Sequence, residues 1–331
     1  MDIIKLKRVL SIMFDKKITD ADYRSEQLQE GTVGDVRLIS GVAESSGGER
    51  LPYKVVLKVQ KRWERHGDPD SWRREYDLYR SALSSGFTKA LRWPTCYHAE
   101  ATDDETQIWM EYIDGVSGSK LTCDMCERAA EELGRFQGKI YAEKPKEISD
   151  ISNLSIPDGM KNFYHHYRSW NVVYDYVRSD DCEIPEYICD MIIDMDEKAD
   201  ILWKNIETLP LVICHRDFWI TNIFYKKGKI TLIDWDTAGW GYLGEDITSL
   251  IADEAEIDKM PELYSKCIPA YIKGFSEYAD ISNITSLYIY ERIVMHYGYR
   301  LVEWYLNAES PEEKVLHIDA LHAIYEMNLY D

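Results

Sequence analysis

The sequence predicts an α+β chain in two lobes, a small antiparallel-sheet N-lobe followed by a larger, mainly helical C-lobe. Three observations predict it. Short alternating runs broken by glycine dominate as far as Ile113, a Gly and Ser rich connector (DGVSGSK) follows at residues 114–120, and apolar stripes at helical spacing fill most of the remainder. With 331 residues, two lobes with separate cores are affordable, and the expected division is 1–112 and 113–331.

The opening stretch MDIIKLKRVLSIMF reads as an amphipathic helix with Ile3, Leu6, Leu10 and Met13 on one face; Lys5, Lys7 and Arg8 interrupt it too early for a signal peptide. Residues 26–44 alternate around Gly31, Gly34 and Gly41, as two strands joined by a tight turn do, and YKVVLKVQ (53–60) is a third strand. Trp72, Tyr76, Tyr79 and Leu83 then recur at helical spacing until Gly86. Two more strands, 93–99 and 107–113, flank the turn-rich ATDDET. Beyond the connector, Met125, Ala129, Leu133, Phe136 and Ile140 mark one helix, and Tyr187, Met191, Met195 and Leu202 another, with loop expected over 142–160. Leu211 to Cys214 is a short buried strand, and 223–225 and 230–233 form a hairpin around Lys227-Gly228. The last helix opens on Ser310-Pro311-Glu312-Glu313, a capping-box pattern with proline at its first position.

Composition narrows the function. No run of about eighteen uncharged apolar residues occurs, so no membrane span is expected. The seven scattered cysteines show no secreted-miniprotein spacing, which points to a cytoplasmic protein, and the CDMC pair reads as structural because no second CxxC or paired histidine follows. Residues 1–115 hold 18 Lys+Arg and 20 Asp+Glu; of totals of 39 and 59 this leaves 21 and 39 for the rest, a balance of −18. A nucleic-acid partner is not expected from such a surface, because binding one depends on cations replacing counterions. A cationic small molecule is instead attracted, although an acidic surface also serves solubility alone.

The chemistry concentrates in CHRDFWITN (214–222) and IDWD (233–236). The hairpin returns Asp234 to the neighbourhood of Asn222, and an amide and a carboxylate side by side offer the hard oxygens that suit Mg2+ carrying phosphates. Asp217 sits where it could accept a proton from an attacking hydroxyl. Lys58, inside an apolar strand, needs an anionic partner; Glu75 in the next helix is the candidate, and the lysine is the group expected to grip phosphates. Ordinary strand-end turns would explain Asp and Asn one at a time, but not all of these together.

VVLKV, RREYDLY, IWMEYIDG, ERAAEELGRFQG, CHRDFWITNIFY, ITLIDWDTAGWG and GEDIT resemble, in order, the segments of the aminoglycoside phosphotransferase and choline kinase family, from about Gly31 to Asp246. The resemblance implies a bilobal protein-kinase-like fold that binds ATP or GTP with Mg2+ and passes phosphate to a small-molecule hydroxyl. Carried over by position, Asp217 corresponds to the catalytic base and Asn222 and Asp234 to the metal ligands. Lys58 corresponds to the lysine on the phosphates, Glu75 to its partner, Met110, Glu111 and Tyr112 to the hinge beside the adenine, and Gly31 and Gly34 to the turn over the nucleotide. His215 is expected to support the loop. Arg216 departs from the small residue common there and gives the HRD of protein kinases; Trp219 and the Asp-Trp-Asp string depart from protein kinases in turn. Asp236 either reaches a second metal or braces Trp235, and Asp246 is expected to cap a helix and steady the catalytic loop.

For the acceptor, Trp240 and Tyr242 are the candidates by position, while Tyr288, Tyr290, His296, Tyr297, Tyr299, Trp304 and Tyr305 are expected mainly to pack helices. The alternative to an enzyme is a catalytically silent nucleotide-binding regulator of the same fold. Loss of Lys58, Asp217, Asn222 or Asp234 would favour it, and all four are present.

Overall fold

A computed structural model describes residues 2–30, 34–63, 65, 68–157, 161, 170–253 and 255–328. Helix α1 (Ile3–Phe14) starts where the Asp2 carboxylate accepts the Ile4 and Lys5 N–H groups, and it buries Leu6, Val9 and Leu10. Ile3, expected on that face, is partly exposed, and Val9 takes its place. Against α1 lies a six-stranded antiparallel sheet of β1 (Ile18–Ala21), β2 (Arg24–Glu30), β3 (Gly34–Ser45), β4 (Arg50–Lys61), and, after a helix, β6 (Cys96–Ala101) and β7 (Glu105–Glu111). Its order is β1-β3-β4-β7-β6, with β2 pairing beside β1 along the same edge of β3. Leu6, Val9, Leu10, Ile39, Tyr53, Val55 and Trp109 form a core of their own.

Helix α2 (Ser71–Tyr79) packs on β4, β6 and β7 and is shorter than the aromatic spacing predicts. Ser81 ends it: its hydroxyl takes the Leu78 carbonyl at 2.7 Å and accepts the Leu83 N–H, so Leu83–Gly86 forms a separate 3-10 turn. Next, β5 (Leu91–Arg92) leaves the small sheet and pairs in parallel with β10 (Lys229–Leu232), the second strand of the hairpin begun by β9 (Ile223–Lys226). The lobes meet here and at the connector, where Val116 and Tyr225 exchange backbone hydrogen bonds.

The larger lobe is built on α3 (Cys123–Glu143), whose Gly134 and Gly138 face Tyr271 and Phe275 backbone so closely that a Cβ at Gly134 would lie 2.2 Å from the Tyr271 oxygen. Its Cys123 and Cys126 are buried thiols. Over the stretch expected as loop, α4 (Lys146–Ser149) forms one turn, and α5 (Trp170–Val177) and α6 (Glu186–Ile206) follow. Strand β8 (Leu211–Cys214) pairs with β11 (Gly239–Tyr242), which the sequence reading left out. The chain then runs through α7 (Glu245–Ala252), α8 (Met260–Ser276), α9 (Ile289–Ile293), a π-helical turn at Val294–Gly298, α10 (Tyr299–Asn307) and α11 (Pro311–Met327). Ser310 accepts the Glu313 N–H at 3.2 Å as expected, but Glu313 reaches back to the Glu309 N–H. No helix among the described residues is long and apolar enough to cross a membrane.

Candidate active site

The loop after β8 turns through two non-glycine residues in the left-handed region, Arg216 at φ 66° and, after the hairpin, Asp234 at φ 65°. Such backbone costs energy and persists only when its surroundings hold it. Asp246, at the start of α7, supplies the hold for the first: its two carboxylate oxygens accept the His215 N–H at 2.9 Å and the Arg216 N–H at 2.7 Å. Gln137 from α3 adds a bond of 2.9 Å to the same carboxylate. Asp246 thus steadies the loop as expected, but it makes no cap for its own helix, which begins at Gly244 without a side-chain cap. Burial pushes the Asp246 carboxyl up to about 7, against the backbone donors that favour its charge.

His215 anchors the second turn. Its Nε2 lies 3.0 Å from the Ile233 carbonyl, its ring meets Trp235 edge-on at 4.6 Å, and burial lowers it to about 4, so it is neutral. Arg216 is buried and saturated. Its guanidinium bonds Glu245 at 2.8 Å, the Ile156 carbonyl at 2.9 Å and the Trp240 carbonyl at 2.6 Å, and it also meets the Ser155 hydroxyl. A small residue at 216 would leave those acceptors without this partner.

Between the two turns stand the groups singled out from the sequence. Lys58 on β4 donates to Glu75 of α2 at 2.6 Å and to Asp234 at 2.5 Å. Asn222 donates to the Asp217 carbonyl at 2.9 Å and to its carboxylate at 3.2 Å, which leaves the Asn222 amide oxygen as its acceptor. Asp236 is buried, 3.4 Å from Gln60 and 3.5 Å from Arg65. The charges sort these carboxylates. Burial alone would raise Asp234, yet Lys58 outweighs it and holds Asp234 below the usual range; burial would lower Lys58, yet Asp234, Glu75 and Asp236 keep it well above its ordinary value. Glu75 and Asp236 are raised, chiefly by burial. For Asp217, burial followed by the charges of Asp234, Asp236 and Asp253 outweighs the opposing charge of Arg65 and pushes it up to about 7.

Other positions stand further out. Met110 and Glu111 end β7, paired with Val56 and Val55, and Tyr112 follows. The Glu111 side chain is taken up by a two-pronged ion pair with Arg92, at 2.6 and 2.8 Å, so what it has left to offer is backbone. Gly34 pairs with Gln60, where a Cβ would meet the Val59 oxygen at 3.2 Å; Gly31 lies outside the described residues. Trp240 and Tyr242 are half-buried in β11. In the aromatic stretch Tyr290, Tyr297, Tyr299 and Tyr305 are core residues, and the Arg300 guanidinium lies 4.9 Å from the Tyr297 ring and 4.7 Å from Trp304 while pairing with Asp253 at 2.5 Å.

Among the described residues no three His, Cys, Asp or Glu side chains cluster as a self-sufficient metal site. The Asn222 oxygen and the Asp234 carboxylate nevertheless fit Mg2+, a hard ion that takes one or two protein oxygens and completes its shell with water and phosphate.

A model of the phosphotransferase enzyme family matches residues 46–280. The chain belongs to that family. Ethanolamine kinase 1 of Homo sapiens is 31% identical over 78 residues, 21% of this chain and 17% of that protein, and the Mus musculus enzyme is 30% identical over 78 residues, 22% of its length. The match spans less than a quarter of these relatives. Among solved structures, an aminoglycoside 2'-phosphotransferase-IIIa in complex with GDP is similar at TM-score 0.57 and 13% identity, covering 99% of this chain and 100% of that one. An amicoumacin kinase with AMP-PNP, Ca2+ and Ami gives 0.56 at 13% identity, covering 91% and 88%, and a microcompartment-associated aminopropanol kinase gives 0.51 at 13%, covering 99% and 97%. At these identities the structures speak for the fold.

Proposed function

We propose that the protein is a small-molecule kinase that moves the γ-phosphate of ATP or GTP, taken up with Mg2+, to the hydroxyl of a small cationic acceptor. In this reading residues 1–112 are the nucleotide-binding lobe and 113–331 the catalytic and acceptor-binding lobe. The observation that carries it is the split among the carboxylates: Lys58 ties Glu75 and Asp234 into one network, while Asp217, bonded to Asn222, is raised to about 7. A phosphoryl transferase needs both kinds, a charge network that positions phosphates and a carboxylate that takes a proton near neutral pH. Bound at Asn222 and Asp234, Mg2+ would neutralise phosphate charge.

The chain's own residues do the rest. Lys58, held by Glu75 and Asp234 in the free protein, turns its ammonium toward phosphate oxygen when the nucleotide binds. The Met110 to Tyr112 backbone takes the base, and Gly34, with Gly31, covers the phosphates. Asp217 orients the acceptor hydroxyl and accepts its proton as the oxygen attacks phosphorus, while Asn222 fixes the Asp217 carboxylate from below. A positive charge on the acceptor matches the −18 balance of residues 116–331. The kinases named above for ethanolamine and aminopropanol accept amines by name, which supports the same class.

The test is a screen of γ-labelled ATP and GTP with Mg2+ against pooled hydroxyl-bearing amines. Label appearing in an amine supports the reading. Nucleotide binding without transfer to any pool, with no loss of γ-phosphate, turns the protein into a regulator.

A further inference from the structure

Helix α2 sends two adjacent side chains to the loop that carries Asp234. Glu75 reaches it through Lys58, whose other bond is to the Asp234 carboxylate. Arg74 reaches it directly. Only 1% exposed, its guanidinium donates from Nη1 to the Asp236 carbonyl at 2.8 Å and from Nε to the Asn153 carbonyl at 3.0 Å. Asp68 accepts one further N–H from each of Nη1 and Nη2, at 2.8 and 2.5 Å, so the buried charge is compensated and the Asp236 contact carries no isolated cation. The Asn153 amide in turn donates to Asp77 of the same helix at 2.7 Å.

These two ties respond differently to ligand. A cation at Asp234 competes with Lys58 for the carboxylate, and phosphate competes for the ammonium, so the Glu75 route slackens when the site fills. The Arg74 route ends on a backbone carbonyl, which no ligand claims. We infer that Arg74 is a positioning residue that keeps α2 docked on the Asp234–Asp236 loop in the nucleotide-bound state and thereby sets the aim of Asp234 toward the metal-nucleotide. This rests on the nucleotide reading above.

The experiment measures dissociation constants of ATP and GTP by calorimetry, with Mg2+ and with chelator, for wild type, Arg74→Met, Arg74→Lys and a surface control, Arg73→Met, alongside thermal melting. Arg73 is partly exposed and forms an ion pair with Asp77 of its own helix, so its loss should change binding less than about twofold. The expected result is that Arg74→Met loses about tenfold or more of the Mg2+-dependent gain in affinity and keeps metal-free binding, as supporting contacts of metal sites commonly do. Arg74→Lys, which can still donate to the Asp236 carbonyl, recovers part of it. A general loss of packing would lower melting temperature and both binding modes together, and that outcome overturns the inference, as does a Mg2+ gain within twofold of wild type. If Arg74→Met does not fold, Arg74→Lys decides by the same criteria. Wild type that binds neither nucleotide overturns the nucleotide reading as well, whereas a normal wild type with a normal variant overturns this inference alone.

Discussion

Asp234 and Asp217 lie in one cleft, on loops held by the same scaffold, and are driven in opposite directions. Asp234 shares the Lys58 ammonium and stays charged; Asp217 is buried among other carboxylates and is raised to about 7. The largest charge difference between them is Lys58, which bonds Asp234 directly. A site that pushes two carboxyl groups apart in this way assigns their tasks, one to hold charge and the other to move a proton. It also leaves the Asp217 side short of positive charge, the side where a cationic acceptor is proposed to bind.

Removing the proton acceptor should have the largest effect. Asp217→Asn is expected to lower the rate of transfer by about 10²- to 10⁴-fold, the usual contribution of a general base, while nucleotide affinity stays within about twofold. Rapid-quench transfer and calorimetry on the same preparation separate the two quantities. Full activity in the variant would take the base role away from Asp217.

Asp234→Ala breaks the other half of the comparison. Mg2+-dependent nucleotide binding should fall by about 10- to 100-fold, and activity with it, because metal and triphosphate bind as one unit. Melting curves with ATP, with and without Mg2+, report it, and a metal-dependent shift that survives in the variant would remove Asp234 from the site.

How far the site could be read beforehand follows the same physics. Lys58, Asp217, Asn222 and Asp234 were legible because each breaks an apolar run or ends a hairpin, where an uncompensated polar group needs a partner, and Glu75 followed as the anion that Lys58 requires. Arg74 was not: in RREYDLY it resembles any arginine on a helix surface, and only the fold reveals that it is buried against Asp68 and the Asp236 carbonyl. Strand β11 was missed for a different reason. GWGY has two glycines in four residues, which weakens any strand signal, and it is extended because it pairs with β8 on one side and meets Ser155 on the other, where Gly239 alone fits; a Cβ there would lie 2.1 Å from the Ser155 hydroxyl. The helical lobe was legible in its long stripes, whereas α5 was not, since nothing in its stretch separates a helix from the loop before it.

A pH series sharpens the comparison with smaller effects. Asp217 is protonated below about 7 in the free protein, so kcat/KM for the nucleotide should fall about tenfold per pH unit on the acid side and level off above it. Bound Mg2+ favours the charged carboxylate, so the corresponding limb in kcat should sit lower. Stability runs the other way. A carboxyl raised on folding contributes stability below its unfolded pKa and loses it as pH rises through the folded value, so metal-free Asp217→Asn should gain melting temperature relative to wild type above pH 7. A variant that gains nothing there would mean that Asp217 is not the strained carboxyl.

The smallest expected effect is on the acceptor side. Raising salt toward 1 M shortens screening to about 3 Å, so KM for a cationic acceptor should rise severalfold while KM for the nucleotide, held in the closed network around Lys58, changes less. An acceptor whose KM ignores salt would return the acidic surface to a role in solubility.

The opposed states of the two carboxylates are most directly measured by carbon-detected NMR of the metal-free protein labelled at aspartate carboxyl groups, titrated from pH 4 to 9 in wild type and Asp217→Asn. Burial places Asp217 and Asp246 both at about 7, so their resonances are expected to move near that pH, and the variant should lose the one that belongs to Asp217. Adding Mg2+ with a nonhydrolysable nucleotide should shift the Asp217 midpoint down and leave that of Asp246 in place. If the resonance missing from Asp217→Asn instead titrates below pH 5, Asp217 is an ordinary carboxylate, and the division of labour between it and Asp234 is wrong.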